Sequence, residues 1–130
     1  MTQPEIKTKA ALRDAILAGG YDDFVSMADV QADIFGGYLK DMSTEQQQLV
    51  VDTVRSLLED GLVEVGDIPG QNDPGFKTWP GRVDEVMTHF VDRFIGCHED
   101  PLQWQYRVWL NLTEKGRQAS AVIVGETSDS

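Results

Sequence analysis

An α+β fold is predicted for this chain, built as one small domain, and three observations predict it. Apolar residues recur at helical spacing in several separate segments. Two short runs, 62–66 and 104–112, are apolar or alternating in the manner of strands. Glycine pairs and one Gly/Pro-rich stretch punctuate these segments, and no linker divides them into two units. With 130 residues, 41% of them hydrophobic, the chain is long and apolar enough to bury a single core. The expected domain covers 1–123, with 124–130 as a flexible tail.

The elements follow in order. Residues 5–18 read as a helix with Ile6, Ala10, Leu12 and Leu17 on one side, closed by Gly19-Gly20. Ser26 opens a short second helix, with Asp29 three residues on in a capping-box arrangement. Val30, Ile34 and Phe35 face inward there, and Gly36-Gly37 break it. A third helix spans 44–60. Ser43 or Thr44 caps it, Gln46 completes an S-x-x-Q box, and Gly61 stops it. Its buried stripe is Val50, Val54, Leu57 and Leu58. Leu62 to Gly66 form a short strand, and residues 66–81, with four glycines and three prolines, are expected to be loop. A helix over 82–95 carries Val83, Val86, Met87, Phe90 and Phe94 on one stripe. The strand 104–112 would face inward through Trp104, Tyr106, Val108, Leu110 and Leu112. Thr113 caps a last short helix through about Ser120.

Two strings carry a family resemblance. Leu57-Leu58-Glu59-Asp60-Gly61-Leu62-Val63 resembles the end of the recognition helix and the start of the wing in PadR- and MarR-type regulators. Leu112-Thr113-Glu114-Lys115-Gly116-Arg117 resembles the step from their second wing strand into the next helix. The resemblance implies a winged helix-turn-helix: a three-helix core, a small antiparallel sheet and a short C-terminal helix. Residues 66–103 depart from it, since they insert a loop and a helix where a short hairpin is usual. The whole chain, including Gly75-Phe76-Lys77-Thr78-Trp79 and Trp109, also resembles a set of small actinobacterial proteins without an assigned function.

Charge limits the role. Eleven Lys/Arg oppose 22 Asp/Glu, a net charge of -11. Residues 22–67 hold 11 acids and two bases, Lys40 and Arg55, for a local net of -9. Within the 44–60 helix, Glu45, Asp52 and Glu59 are spaced i, i+7, i+14 and form one stripe opposite the apolar one. In a winged helix that outer face enters the major groove. Nucleic-acid affinity comes mainly from Lys and Arg displacing counterions, and this face offers only Arg55. The bases Lys77 and Arg82 of the long loop do not offset the acids.

Few residues carry chemistry. His89, Cys97, His98, Glu99 and Asp100 make the one metal-like grouping, but Cys97 and His98 are adjacent rather than paired at ligand spacing. His89 shares the polar side of its helix with Glu85 and Asp92. Cys97 as a nucleophile lacks a recognisable orienting group, and the glycine pairs match no phosphate-binding loop. No catalysis, cofactor or metal is expected. Trp79 in the Gly/Pro loop and Trp109 on the polar side of its strand leave two readings open. The inserted helix covers them, or they anchor an interface.

A lone cysteine and the absence of an apolar segment behind the first charged residues lead to an expected cytoplasmic location without a membrane span. The expected role is a non-catalytic acidic module that engages a basic protein partner, as monomer or homodimer. Immunity or antitoxin proteins and inhibitors of nucleic-acid-binding proteins share that profile. Its surface would be Asp22, Asp23, Asp29, Asp33, Asp41, Glu45, Asp52 and Glu59, with Trp79 and Trp109. The alternative is a DNA-binding transcription regulator.

Overall fold

Ser43 and Gln46 cap each other reciprocally. The Gln46 amide donates to Ser43 Oγ at 3.1 Å, and the Ser43 amide donates to Gln46 Oε1 at 2.9 Å. This capping box starts helix α2 (Thr44–Glu59) in the computed structural model, which describes residues 8–21, 24–27, 29–30, 43–67, 76–96 and 108–128. The side chains of 124–128 are not among those described.

Helix α1 (Lys9–Gly19) packs against α2 and against α4 (Glu114–Ser128), and α3 (Val83–Phe94) packs against α2. The described residues also form four strands: β1 (Val25–Ser26), β2 (Val63–Asp67), β3 (Lys77–Thr78) and β4 (Trp109–Leu112). All pairings are antiparallel, in the spatial order β1-β4-β2-β3. The expected α+β class therefore holds, and the two predicted strands lie side by side, with Val63 opposite Leu112 and Val65 opposite Leu110.

The core lies between the helices and one face of this sheet. Leu12 and Ile16 of α1, Val50, Val54 and Leu57 of α2, and Met87, Phe90 and Phe94 of α3 are fully or almost fully buried. From the sheet, Val25, Val65, Leu110 and Leu112 join them. The alternation read in the sequence is met at Val108, Leu110 and Leu112, whereas Trp104 and Tyr106 lie outside the described residues. Buried hydroxyls find acceptors: Thr53 donates to the Leu49 carbonyl at 2.6 Å, and Ser120 of α4 donates to the Leu17 carbonyl of α1. An unmade bond at either site would carry the desolvation penalty of a buried polar group.

Four expectations need correction. The stretch 66–81 is not all loop, because Lys77 and Thr78 pair with Asp67 and Gly66, and the Trp79 amide donates to the Val65 carbonyl at 2.9 Å. Residues Val25 and Ser26 form an edge strand ahead of the Ser26–Asp29 capping box, whose two bonds measure 3.0 and 3.1 Å. The last helix passes Ser120 and Val124 and runs to Ser128. Leu58 is only half-buried, although it packs against the core, while Leu57 is completely enclosed. The first helix is described from Lys9, with Thr8 as its cap; residues 5–7, like Ile34, Phe35, Gly36 and Gly37, lie outside the described residues.

Candidate functional site

Helix α2 buries Val50, Val54 and Leu57, so the opposite stripe must face outward, and Glu45, Asp52 and Glu59 are all exposed. Asp52 accepts a 2.9 Å hydrogen bond from Gln48 Nε2 one turn earlier, which holds its carboxylate along the helix. A shallow groove of about 380 Å³ borders this face, with Asp52, Arg55, Glu59 and Asp60 along it, Lys9 at its side and the half-buried Leu49 in its lining.

The two arginines in this region are already engaged. Arg55 Nη1 lies 2.8 Å from Asp84 Oδ1, at the start of α3, and 3.6 Å from Glu59 Oε1. The hydrogen bond to Asp84 is the main reason the Arg55 guanidinium is held above its ordinary range. Arg13 of α1 lies 2.8 Å from Asp60 Oδ2 and also donates to Ser56 Oγ. These pairs are solvent-accessible and individually weak, but they set the direction of charge. Each guanidinium faces a carboxylate and has little left to offer a phosphate. Asp84 and Arg13 were not among the predicted site residues. Asp84 lies 29 positions from Arg55 and Asp60 lies 47 from Arg13, so no local pattern could show these pairs.

The other predicted residues divide. Asp29 is exposed, but its carboxylate accepts from the Ser26 amide as part of a cap. Asp22, Asp23, Asp33 and Asp41 lie outside the described residues. Trp79 is 8% exposed. Its ring stacks on His89 of α3 at 3.8 Å and 16°, and its Nε1 donates to Asp67 Oδ2 at 3.1 Å. Of the two readings left open for Trp79, cover by the inserted helix is the one observed, and the ring is not available as a surface anchor.

Trp109 is half-buried on the sheet face opposite the core, opposite Ser26 on β1 and Gly66 on β2. Rings cover part of that face. Phe24 and Phe76 meet at 5.1 Å, and a Cβ on Gly66 would lie 2.8 Å from the Phe76 ring. Beside them, Glu64 Oε2 accepts from Thr78 Oγ1 at 3.1 Å and Asn111 Nδ2 at 3.3 Å, tying β2 to both neighbours.

His89 lies against Trp79. Cys97, His98, Glu99 and Asp100 lie outside the described residues, and no group of three or more His, Cys, Asp or Glu among the described ones is placed to hold a metal ion. No described helix is long and apolar enough to cross a membrane. No family model, curated protein or solved structure matches the chain.

Proposed function

We propose that this chain is a winged-helix scaffold used as an acidic, non-catalytic protein-binding module in the cytoplasm, engaging a basic protein partner in the manner of an immunity protein, an antitoxin or an inhibitor of a nucleic-acid-binding protein. The observation that carries this reading is the state of α2. Three exposed carboxylates line it, and its single base, Arg55, is held by Asp84 and Glu59. Aligned carboxylates on a helix imitate a run of phosphates and steer a basic partner toward the surface. The scaffold part of the reading draws support from the order helix, strand, helix, two paired strands, inserted helix, strand and helix, and from β4 lying between β1 and β2.

A DNA-binding regulator would use the same scaffold and the same helix, but it would need cations where this helix presents acids. The discriminating experiment is the association rate with a basic partner captured from the source cell, measured across salt concentrations beside a titration with duplex DNA. A rate that falls steeply with salt, together with no DNA binding, supports the module. Micromolar, salt-sensitive DNA binding would reverse the assignment.

A further inference from the structure

A second cleft, of about 900 Å³, shares no lining residue with the acidic groove. Tyr21 and Phe24, on either side of the α1–β1 connection, supply aromatic rings. Asn111 comes from β4, and Glu114, Arg117 and Gln118 come from the first two turns of α4. The local sequence builds this cleft. A Cβ on Gly20 would come within 2.9 Å of Leu112 Cγ, so a glycine lets the end of α1 close against β4 and deliver Tyr21 to the rim. Tyr21 is then 44% exposed, a large ring with one face in water.

Of the two charges in the cleft, Glu114 is the acid that the dipole of α4 favours in its first turn, and Arg117 lies one turn further on. Cations in the first turn of a helix oppose its dipole. Lys115 has a compensating use, donating to the Asp60 carbonyl at the end of α2 at 2.8 Å. The Arg117 and Glu114 side chains, one turn apart and both exposed, have no hydrogen bond or ion pair among the described residues. Two opposite charges one turn apart, neither with a structural partner among the described residues, leave both side chains available to a ligand that carries both signs.

We infer that this cleft binds a free α-amino acid with an aromatic side chain, as the zwitterion. Arg117 takes the carboxylate, Glu114 takes the ammonium, and the ring lies against Tyr21 and Phe24, with the Gln118 amide free to complete the polar contacts. The volume is within the ordinary range for small-molecule sites. A neutral zwitterion also suits a chain of net charge -11, which would repel a simple anion. This site is independent of the protein-binding reading and stands or falls separately.

The test is a titration of the full ¹⁵N-labelled chain with L-phenylalanine, phenethylamine and 3-phenylpropionate, followed by amide chemical shifts. L-Phenylalanine should move the Tyr21, Asn111, Arg117 and Gln118 amides and bind at least about tenfold tighter than either half-ligand, a difference of about 1.4 kcal/mol. Arg117→Met should abolish the preference over phenethylamine, and Glu114→Gln the preference over 3-phenylpropionate. Both positions are exposed, and the spectrum itself reports that the fold is kept. Equal binding of all three compounds, no shift with L-phenylalanine at about 10 mM (a free energy of only a few kcal/mol), or an unchanged preference in Arg117→Met would overturn the assignment.

Discussion

The Thr113 hydroxyl donates to the Gly61 carbonyl at 2.6 Å and accepts from the Gly116 amide at 3.0 Å, so one side chain joins the end of α2 to the start of α4. Gly61 sits at φ +72° and closes α2 with paired bonds, Leu62 amide to Leu57 carbonyl at 2.9 Å and Gly61 amide to Leu58 carbonyl at 3.0 Å. Gly116 lies directly on this turn, since a Cβ there would fall 1.9 Å from the Leu62 carbonyl oxygen. The two strings singled out in the sequence, Leu57 to Val63 and Leu112 to Arg117, are therefore one joint in space.

That joint yields the first prediction. Gly61→Ala meets no atom within 4 Å, so its cost is backbone strain alone, about 1–2 kcal/mol. Gly116→Ala must displace a carbonyl fixed by the Thr113 amide at 3.0 Å, and overpacking of that kind costs about 1–3 kcal/mol or more. Urea midpoints should fall further for Gly116→Ala. The opposite order would mean that α4 does not press on this turn.

Within α2, the two adjacent leucines should separate. Leu57 is fully enclosed, so Leu57→Ala should cost about 2–5 kcal/mol. Leu58 keeps part of its surface in water and should lose clearly less on the same change. Equal losses in chemical denaturation would place both side chains at the same depth.

The Trp79–His89 stack couples the β2–β3 hairpin to α3. A double-mutant cycle with Trp79→Phe and His89→Ala should return a coupling of about 0.5–1.5 kcal/mol in thermal melts. Trp79→Phe alone also removes the Asp67 hydrogen bond, for about 0.5–1.5 kcal/mol more. Additive effects would show that the stack contributes nothing beyond burial.

Purified protein should show no salt-sensitive binding to random duplex DNA near physiological ionic strength. The physical ground is that Arg55 and Arg13 are matched by Asp84, Glu59 and Asp60 before any phosphate arrives. A fluorescence titration giving micromolar affinity with a steep salt slope would contradict it.

How much of this was legible follows from range. Helices α2 and α3 fall within a residue of their sequence boundaries because their apolar stripes are long and, for α2, Ser43 and Gln46 mark the start and Gly61 the end. The stripe of Glu45, Asp52 and Glu59 is legible for the same reason, since periodicity alone places it. Strands of two residues have no period to read, so Lys77–Thr78 passes as loop, and Val25–Ser26 as the lead-in and cap of a helix, until a partner strand pairs with each. The burial of Trp79 depends on His89 arriving from another element. The neutralisation of Arg55 depends on Asp84 in the same way. Neither leaves a local trace.

Reversing the acidic stripe should separate folding from association. Glu45, Asp52 and Glu59 are exposed, and exposed substitutions usually change stability by only about ±0.5 kcal/mol. The three changes to Lys are not identical, however. Glu45→Lys puts a cation in the first turn of α2, against the helix dipole, at about 0.3–1 kcal/mol. Glu59→Lys places one in the last turn, where the dipole favours it, but removes the 3.6 Å pair with Arg55. Asp52→Lys loses the bond from Gln48. These terms are individually small and sum to a modest loss, so circular dichroism should be unchanged and the melting temperature should fall only slightly. Association with a basic partner should respond differently. Six units of charge reversed on one helix face turn steering into repulsion, which slows encounter most at low salt, where screening is least. Stopped-flow rates at several ionic strengths read this directly. The native chain should associate faster as salt is lowered, and the triple variant slower. Should both associate equally fast at every salt concentration, the carboxylates of α2 serve solubility alone and the proposed module loses its surface.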